Sequence, residues 1–220
     1  MTHPKAFLFD LNGTIIDDMD FHLQVWNRII NEDLHGGLTL EQVKKQMYGK
    51  NHELLERVFG KGTLSEETIA IYSQKKEELY KELYRPYVAL IPGLSTLLEK
   101  AERSGISMAI GSAADRSAID FIVDSLDIRS RFQAIVGAED VTKSKPDPEV
   151  FLKGAALLGV EPESCIVFED VPKGAEAAMN AGMKVVIVTT THHPEEFTKY
   201  PNVLFFIEDF NDPRLADLFK

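Results

Sequence analysis

Four short polar patches carry residue types suited to phosphate chemistry. Asp10 ends the apolar run Ala6-Phe7-Leu8-Phe9 and is followed at once by the turn residues Asn12-Gly13. Gly111-Ser112-Ala113 follows a second apolar run, Ser107 to Ile110. Lys145 lies in Ser144-Lys145-Pro146-Asp147-Pro148, and Glu169-Asp170 closes the run Cys165 to Phe168. A carboxylate such as Asp10 can ligate a hard cation or attack phosphorus to form an aspartyl phosphate. With Glu169 and Asp170 it makes an oxygen-ligand set suited to Mg²⁺. The Ser112 hydroxyl and the backbone N–H groups around Ala113, at a predicted helix start, can hold phosphate. Lys145 can offset charge between carboxylates and phosphate. Singly, each patch also reads as ordinary surface: a turn, a lysine before proline, a pair of exposed acids. Their joint occurrence, in order and each after a strand-like run, favours a site.

These residues need a scaffold that brings strand ends together. Ala6 to Phe9 is too short for a helix and reads as a buried strand. From roughly Ile16 to Arg85 the pattern is helical, with Phe21, Val25, Trp26 and Ile29 at helical spacing and Pro86 as a stop. Short apolar strands then alternate with helices, the βαβ rhythm of a parallel sheet. The first strand has no early partner and most simply joins that later sheet. The expected fold is therefore α/β, a doubly wound, mainly parallel Rossmann-like sheet, interrupted after its first strand by an inserted all-α cap. Residues 1–15 plus 86–220 form the catalytic core and residues 16–85 the cap. In open α/β sheets ligands bind beyond the carboxyl ends of the strands, where the four patches fall.

Composition narrows the partners. The 220 residues are 44% hydrophobic and 27% charged, ordinary for a globular chain. A net charge of −11 argues against nucleic acid or an anionic membrane as a partner. Within such an acidic field a phosphorylated ligand needs a local positive site, which favours a bound divalent cation. Cys165 is the only cysteine, so no intramolecular disulfide forms, as suits a reducing cytoplasm. No secretory leader and no run of about 18 apolar residues is evident. A cytoplasmic monomer acting on a small phosphorylated metabolite is the expectation.

The ordered set Phe9-Asp10-Leu11-Asn12-Gly13-Thr14, Gly111-Ser112, Lys145-Pro146 and Phe168-Glu169-Asp170, with Gly174 beyond it, resembles the haloacid dehalogenase superfamily of aspartate-nucleophile phosphotransferases. The similarity covers nearly the whole chain and is nearest to the β-phosphoglucomutase-like branch with a small helical cap. The resemblance implies Asp10 as nucleophile, and Asp10 and Asp170 as Mg²⁺ ligands. The backbone carbonyl of Asn12 and the side chain of Glu169 would assist, directly or through water. Ser112 and Lys145 would bind the transferring phosphoryl. It further implies a cap that closes as a lid. Cap contacts to substrate would come from His22 and from the loop Gly49, Lys50, Asn51 and His52. The implied activity is an Mg²⁺-dependent phosphohydrolase of small phosphorylated metabolites.

Two departures qualify this. The family's first motif usually has a second aspartate, a general acid and base, where this chain has Asn12. An amide cannot accept and return a proton, and such help is worth about 10²–10⁴-fold. Asn12 fits a slow phosphatase, one whose leaving groups need little protonation, an engineered trap, or a protein that binds phosphometabolites with little catalysis. In the cap loop, sugar phosphomutases of this branch carry a lysine before the glycine and an arginine three residues after it, where this chain has Tyr48 and His52. Histidine is a poorer phosphate fork than arginine, which favours phosphatase over β-phosphoglucomutase, the alternative. His22 is open between hydrogen-bonding the acid/base loop and a half-buried helix histidine. Trp26 reads as cap core, and His192-His193 as solvated surface.

Overall fold

The computed structural model describes residues 3–220. In chain order its elements are β1 (Ala6–Phe9), α1 (Met19–Asn27), α2 (Leu40–Lys44), α3 (Asn51–Phe59), α4 (Glu66–Tyr84), α5 (Leu94–Arg103), β2 (Ser107–Gly111), α6 (Arg116–Ser125), β3 (Ala134–Val136), α7 (Glu149–Leu158), β4 (Cys165–Glu169), α8 (Pro172–Asn180), β5 (Lys184–Val188) and β6 (Val203–Ile207). The chain divides into two compact units, Met1–Asp17 with Ala89–Lys220, and Asp18–Val88.

The first unit is an α/β layer structure. Its six strands run parallel in the order β3-β2-β1-β4-β5-β6. A strand buried on both faces needs no polar alternation, and β1 is buried at every position. It sits between β2 and β4, at the point where the strand order reverses. On one face Leu8, Ala109 and Val167 pack with Val150, Phe151 and Ala155 of α7 and Ala175 and Ala178 of α8. On the aromatic side Phe9 stacks on Phe168 with centroids 4.7 Å apart, and Phe7 meets Phe168 edge-on at 5.3 Å. The crossover helix α5 buries Leu94, Leu97, Leu98 and Ala101, the i, i+3, i+4, i+7 stripe of an amphipathic helix.

The second unit is helical. Its buried apolar residues include Val25, Trp26, Ile29, Ile30, Val43, Leu54, Leu55, Tyr80 and Tyr84, with Trp26 in the core as its spacing suggests. Thr39 and Gln42 close a reciprocal cap on α2. The helix expected from His52 begins one residue earlier, because the carboxylate of Glu53 accepts from the Lys50 backbone N–H at 2.8 Å. Among the described residues no helix is long and apolar enough to cross a membrane.

Candidate active site

The carboxyl ends of β1 and β4 lie side by side, Phe9 opposite Phe168. The Asp10 N–H extends the ladder by one bond to the Phe168 carbonyl, at 3.0 Å. The chain then turns through Gly13, whose φ of +79° favours glycine. A Cβ on Gly13 would stand 2.2 Å from Asp170 Oδ2, so only glycine lets this loop approach the β4 carboxylates. Gly174 does the same for α8: its Cβ would stand 1.8 Å from Glu169 Oε1. That helix starts at Pro172, two residues before the expected Gly174, because proline suits a first-turn position whose N–H has no partner.

Lys145 brings the charges together. Its Nζ donates to Asp10 Oδ1 at 2.6 Å and to Glu169 Oε1 at 2.8 Å. Burial acts to lower the Lys145 amine, but the carboxylates of Asp10 and Glu169 together outweigh it and hold the ammonium above its ordinary range. Glu169 is fully buried, and its second oxygen accepts the backbone N–H groups of Asp170 and Val171, both at 2.8 Å. Its oxygens are thus committed within the chain, which suits an orienting role more than a direct ligand. Asp170 is 1% exposed. Burial first, then the charges of Glu169 and Asp10, push its carboxyl well above the usual range, against a hydrogen bond from Thr191 and the charge of Lys145. Thr14 Oγ1 donates to the other Asp170 oxygen at 3.4 Å.

Ser112 is buried beyond β2, and its hydroxyl accepts from the Ala114 N–H at 3.1 Å. Helix α6 starts at Arg116, capped by the side chain of Asp115, and the Ser112 N–H is spent on the Val136 carbonyl at 3.0 Å. Ala113 is half-buried in the intervening turn, and Asn12 is half-buried, its backbone bridged to Ile16.

Other sequence-selected residues belong to the Asp18–Val88 unit. His22 is buried rather than half-buried, its Nε2 3.0 Å from Asp18 Oδ2 and its ring stacked on Tyr80 at 4.0 Å. Gly49 turns the chain with φ +74°, Lys50 precedes α3, and His52 is exposed in its first turn. Asn51 donates its amide to Glu77 Oε1 at 2.7 Å.

The sequence reading missed the loop after β5. Thr190 Oγ1 donates to the Gly13 carbonyl at 2.5 Å, and Thr191 Oγ1 donates to Asp170 Oδ2. His192, expected as solvated surface, is half-buried with Nδ1 2.9 Å from the Thr191 hydroxyl; His193 is exposed. The signal was available: Thr189-Thr190-Thr191 is a polar run at the carboxyl end of a strand, like the four patches.

A divalent cation fits this geometry by charge more than by a ready cage. Among the described residues no three His, Cys, Asp or Glu side chains form a group that could hold a metal ion. Yet Lys145 pairs with Asp10 and Glu169, while the buried Asp170 carboxyl beside them is pushed up first by burial and then by their charges. Asp10 and Asp170 carry hard carboxylate oxygens, the ligand type that Mg²⁺ prefers.

Comparison with known proteins agrees with this geometry. Residues 7–188 match the family model of the haloacid dehalogenase-like hydrolases. Hexitol phosphatase A of Escherichia coli is 30% identical, the match covering 93% of this chain and 92% of that protein. Protein CbbY of Rhodobacter capsulatus is 29% identical, covering 96% and 94%. The crystal structure of β-phosphoglucomutase from Clostridium difficile superposes with a TM-score of 0.85 at 26% identity, covering 98% of this chain and 97% of that one. The chain belongs to the haloacid dehalogenase-like hydrolases and is an enzyme of phosphatase type.

Proposed function

We propose that this protein is an Mg²⁺-dependent phosphohydrolase that cleaves a small phosphorylated metabolite through an aspartyl phosphate on Asp10. The observation that carries this reading is the Asp10 carboxylate at the β1 end, gripped by Lys145 at 2.6 Å beside the β4 acids. Asp10 would attack phosphorus as the bond to the leaving oxygen breaks, and water would then hydrolyse the aspartyl phosphate. Lys145 and the Ser112 hydroxyl would hold phosphoryl oxygens, and Glu169 would orient Lys145. Asp10, Asp170 and the backbone carbonyl of Asn12 would hold the cation, which supplies charge neutralisation at the phosphoryl group. Asn12 can donate a hydrogen bond but moves no proton, so the leaving oxygen and the attacking water exchange protons with solvent. Turnover is therefore slow for alkoxide leaving groups.

Phosphate release from a panel of sugar, polyol and acyl phosphates, with Mg²⁺ or with chelator, tests the proposal. Mg²⁺-dependent release by the native chain and none by Asp10→Asn supports it. Saturable binding of panel compounds without any release would favour a phosphometabolite-binding protein. The likeness to β-phosphoglucomutase supports a second reading, interconversion of β-glucose 1-phosphate and glucose 6-phosphate. Glucose 6-phosphate formation from β-glucose 1-phosphate, followed with a coupling enzyme, decides it.

A further inference from the structure

We propose that Thr190 and Thr191 are positioning residues that clasp the two carboxylate-bearing loops into the arrangement a divalent cation requires. This rests on the metal-site reading above. The strand order places β5 beside β4, with β1 on the far side of β4. The loop after β5 nonetheless bonds to both neighbours: the Thr190 hydroxyl to the Gly13 carbonyl, 177 residues away in the chain, and the Thr191 hydroxyl to Asp170 Oδ2. Thr191 Oγ1 also lies 3.2 Å from the Asp170 backbone carbonyl, a second acceptor open to the same hydroxyl proton. A hydroxyl carries one proton. Given to Asp170, it leaves Thr191 Oγ1 as acceptor for the His192 ring at 2.9 Å, which fixes the hydroxyl's own direction.

Both contacts tie together segments that lie far apart in the chain. The Gly13 N–H goes to the Ile16 carbonyl at 2.7 Å, inside its own turn, and the Thr14 hydroxyl reaches Asp170 only at 3.4 Å. Groups that orient a ligating carboxylate without touching the ion typically govern affinity by about 10–100-fold. Thr189 supplies an internal control: it belongs to the same run, but its hydroxyl donates to the Ile207 carbonyl at 3.2 Å, away from either loop.

The test is Mn²⁺ affinity, read from the paramagnetic resonance signal of the free ion, on the full chain at neutral pH. Thr191→Val should raise the Kd about 10–100-fold, Thr190→Val by less, while Thr191→Ser and Thr189→Val keep the native value. Thr190→Val tests the clasp from the second loop if Thr191→Val does not fold, as judged by its metal-free melting. Native affinity in both valine variants, or an equal loss in Thr191→Ser and Thr191→Val, would overturn the clasp. If the native chain binds no Mn²⁺ the metal-site reading itself fails, and the clasp with it.

Discussion

The protein buries two ionic clusters, and they are built on opposite balances. In the Asp18–Val88 unit Lys76 and Glu77, each 5% exposed, pair one to one at 2.8 Å. Asp18 nearby receives the Tyr80 hydroxyl at 2.5 Å and lies 3.0 Å from His22. Burial opposes the Glu77 charge, but Lys76, His22 and Asn51 together bring its carboxyl below the ordinary range. At the sheet edge burial and like charge win instead, and Asp170 is driven well above it. A balanced pair contributes to the folded state. The crowded Asp170 carboxyl is relieved by a proton or by a bound cation, and it lies at the strand ends beside Asp10 and Lys145, which is why the sheet edge reads as the site.

The clusters should therefore respond oppositely to the loss of a charge. The largest effect expected is on chemistry: Asp10→Asn should lower turnover on the order of 10⁴-fold or more, with near-native melting. Retained turnover, once reversion of the amide is excluded by peptide mass, would remove Asp10 as nucleophile. Next is Lys76→Met, which leaves a buried carboxylate without its partner and should cost about 3–5 kcal/mol, a fall in Tm on the order of 10 °C. Adding Glu77→Leu should recover much of it, since buried pairs replaced by apolar residues are often neutral. A Lys76→Met variant that melts like the native chain would refute the one-to-one pairing.

Asn12→Asp is expected to accelerate sugar-phosphate hydrolysis by about 10²-fold, and an acyl phosphate far less, because a carboxylate leaves without a proton. Equal acceleration of both substrates would rule out the acid–base account. The smallest effect sharpens the contrast most. Asp170→Asn removes a charge that the folded chain disfavours, so in chelator at pH 7.5 it should raise Tm by about 2–4 °C, the change ~1 kcal/mol produces at this size, while abolishing stabilisation by Mg²⁺. The pH signs also differ. Asp170, raised in the folded state, weakens the metal-free protein as pH climbs from its unfolded pKa through the folded one. Glu77, lowered, contributes stability above its unfolded pKa that is lost as pH falls through the folded value. Thermal melts across pH for native, Asp170→Asn and Glu77→Gln chains separate the two slopes.

What could be seen in the amino-acid sequence followed from locality. The all-apolar Ala6–Phe9 and the βαβ rhythm announced a parallel sheet with β1 inside it; Asp10, Ser112 and Glu169-Asp170 fell where a strand ends, and Lys145 fell in the longer loop between β3 and α7. The threonines after β5 did not stand out, because threonine is common in strands and turns alike. Lys76 and Glu77 were hidden for a different reason: on a highly charged helix such as α4, burial depends on packing by other helices, which no local pattern encodes. The same holds for His22, whose partner Asp18 lies one turn away but whose stacking on Tyr80 spans 58 residues of chain. The resemblance gave Glu169 an assisting role at the cation, directly or through water; its hydrogen bonds from Lys145 and two backbone amides are visible only in three dimensions.

The central claim is that Asp10 accepts a phosphoryl group. Incubating the native chain and Asp10→Asn with acetyl phosphate and Mg²⁺, quenching in acid, and measuring intact and peptide masses tests it directly. The native chain should gain the mass of one phosphoryl group, mapped to Asp10, and hold it because Asn12 gives hydrolysis no base; Asp10→Asn should gain none. A native chain that stays unmodified while releasing phosphate from its substrates, or a phosphoryl group mapped to any other residue, would contradict the account.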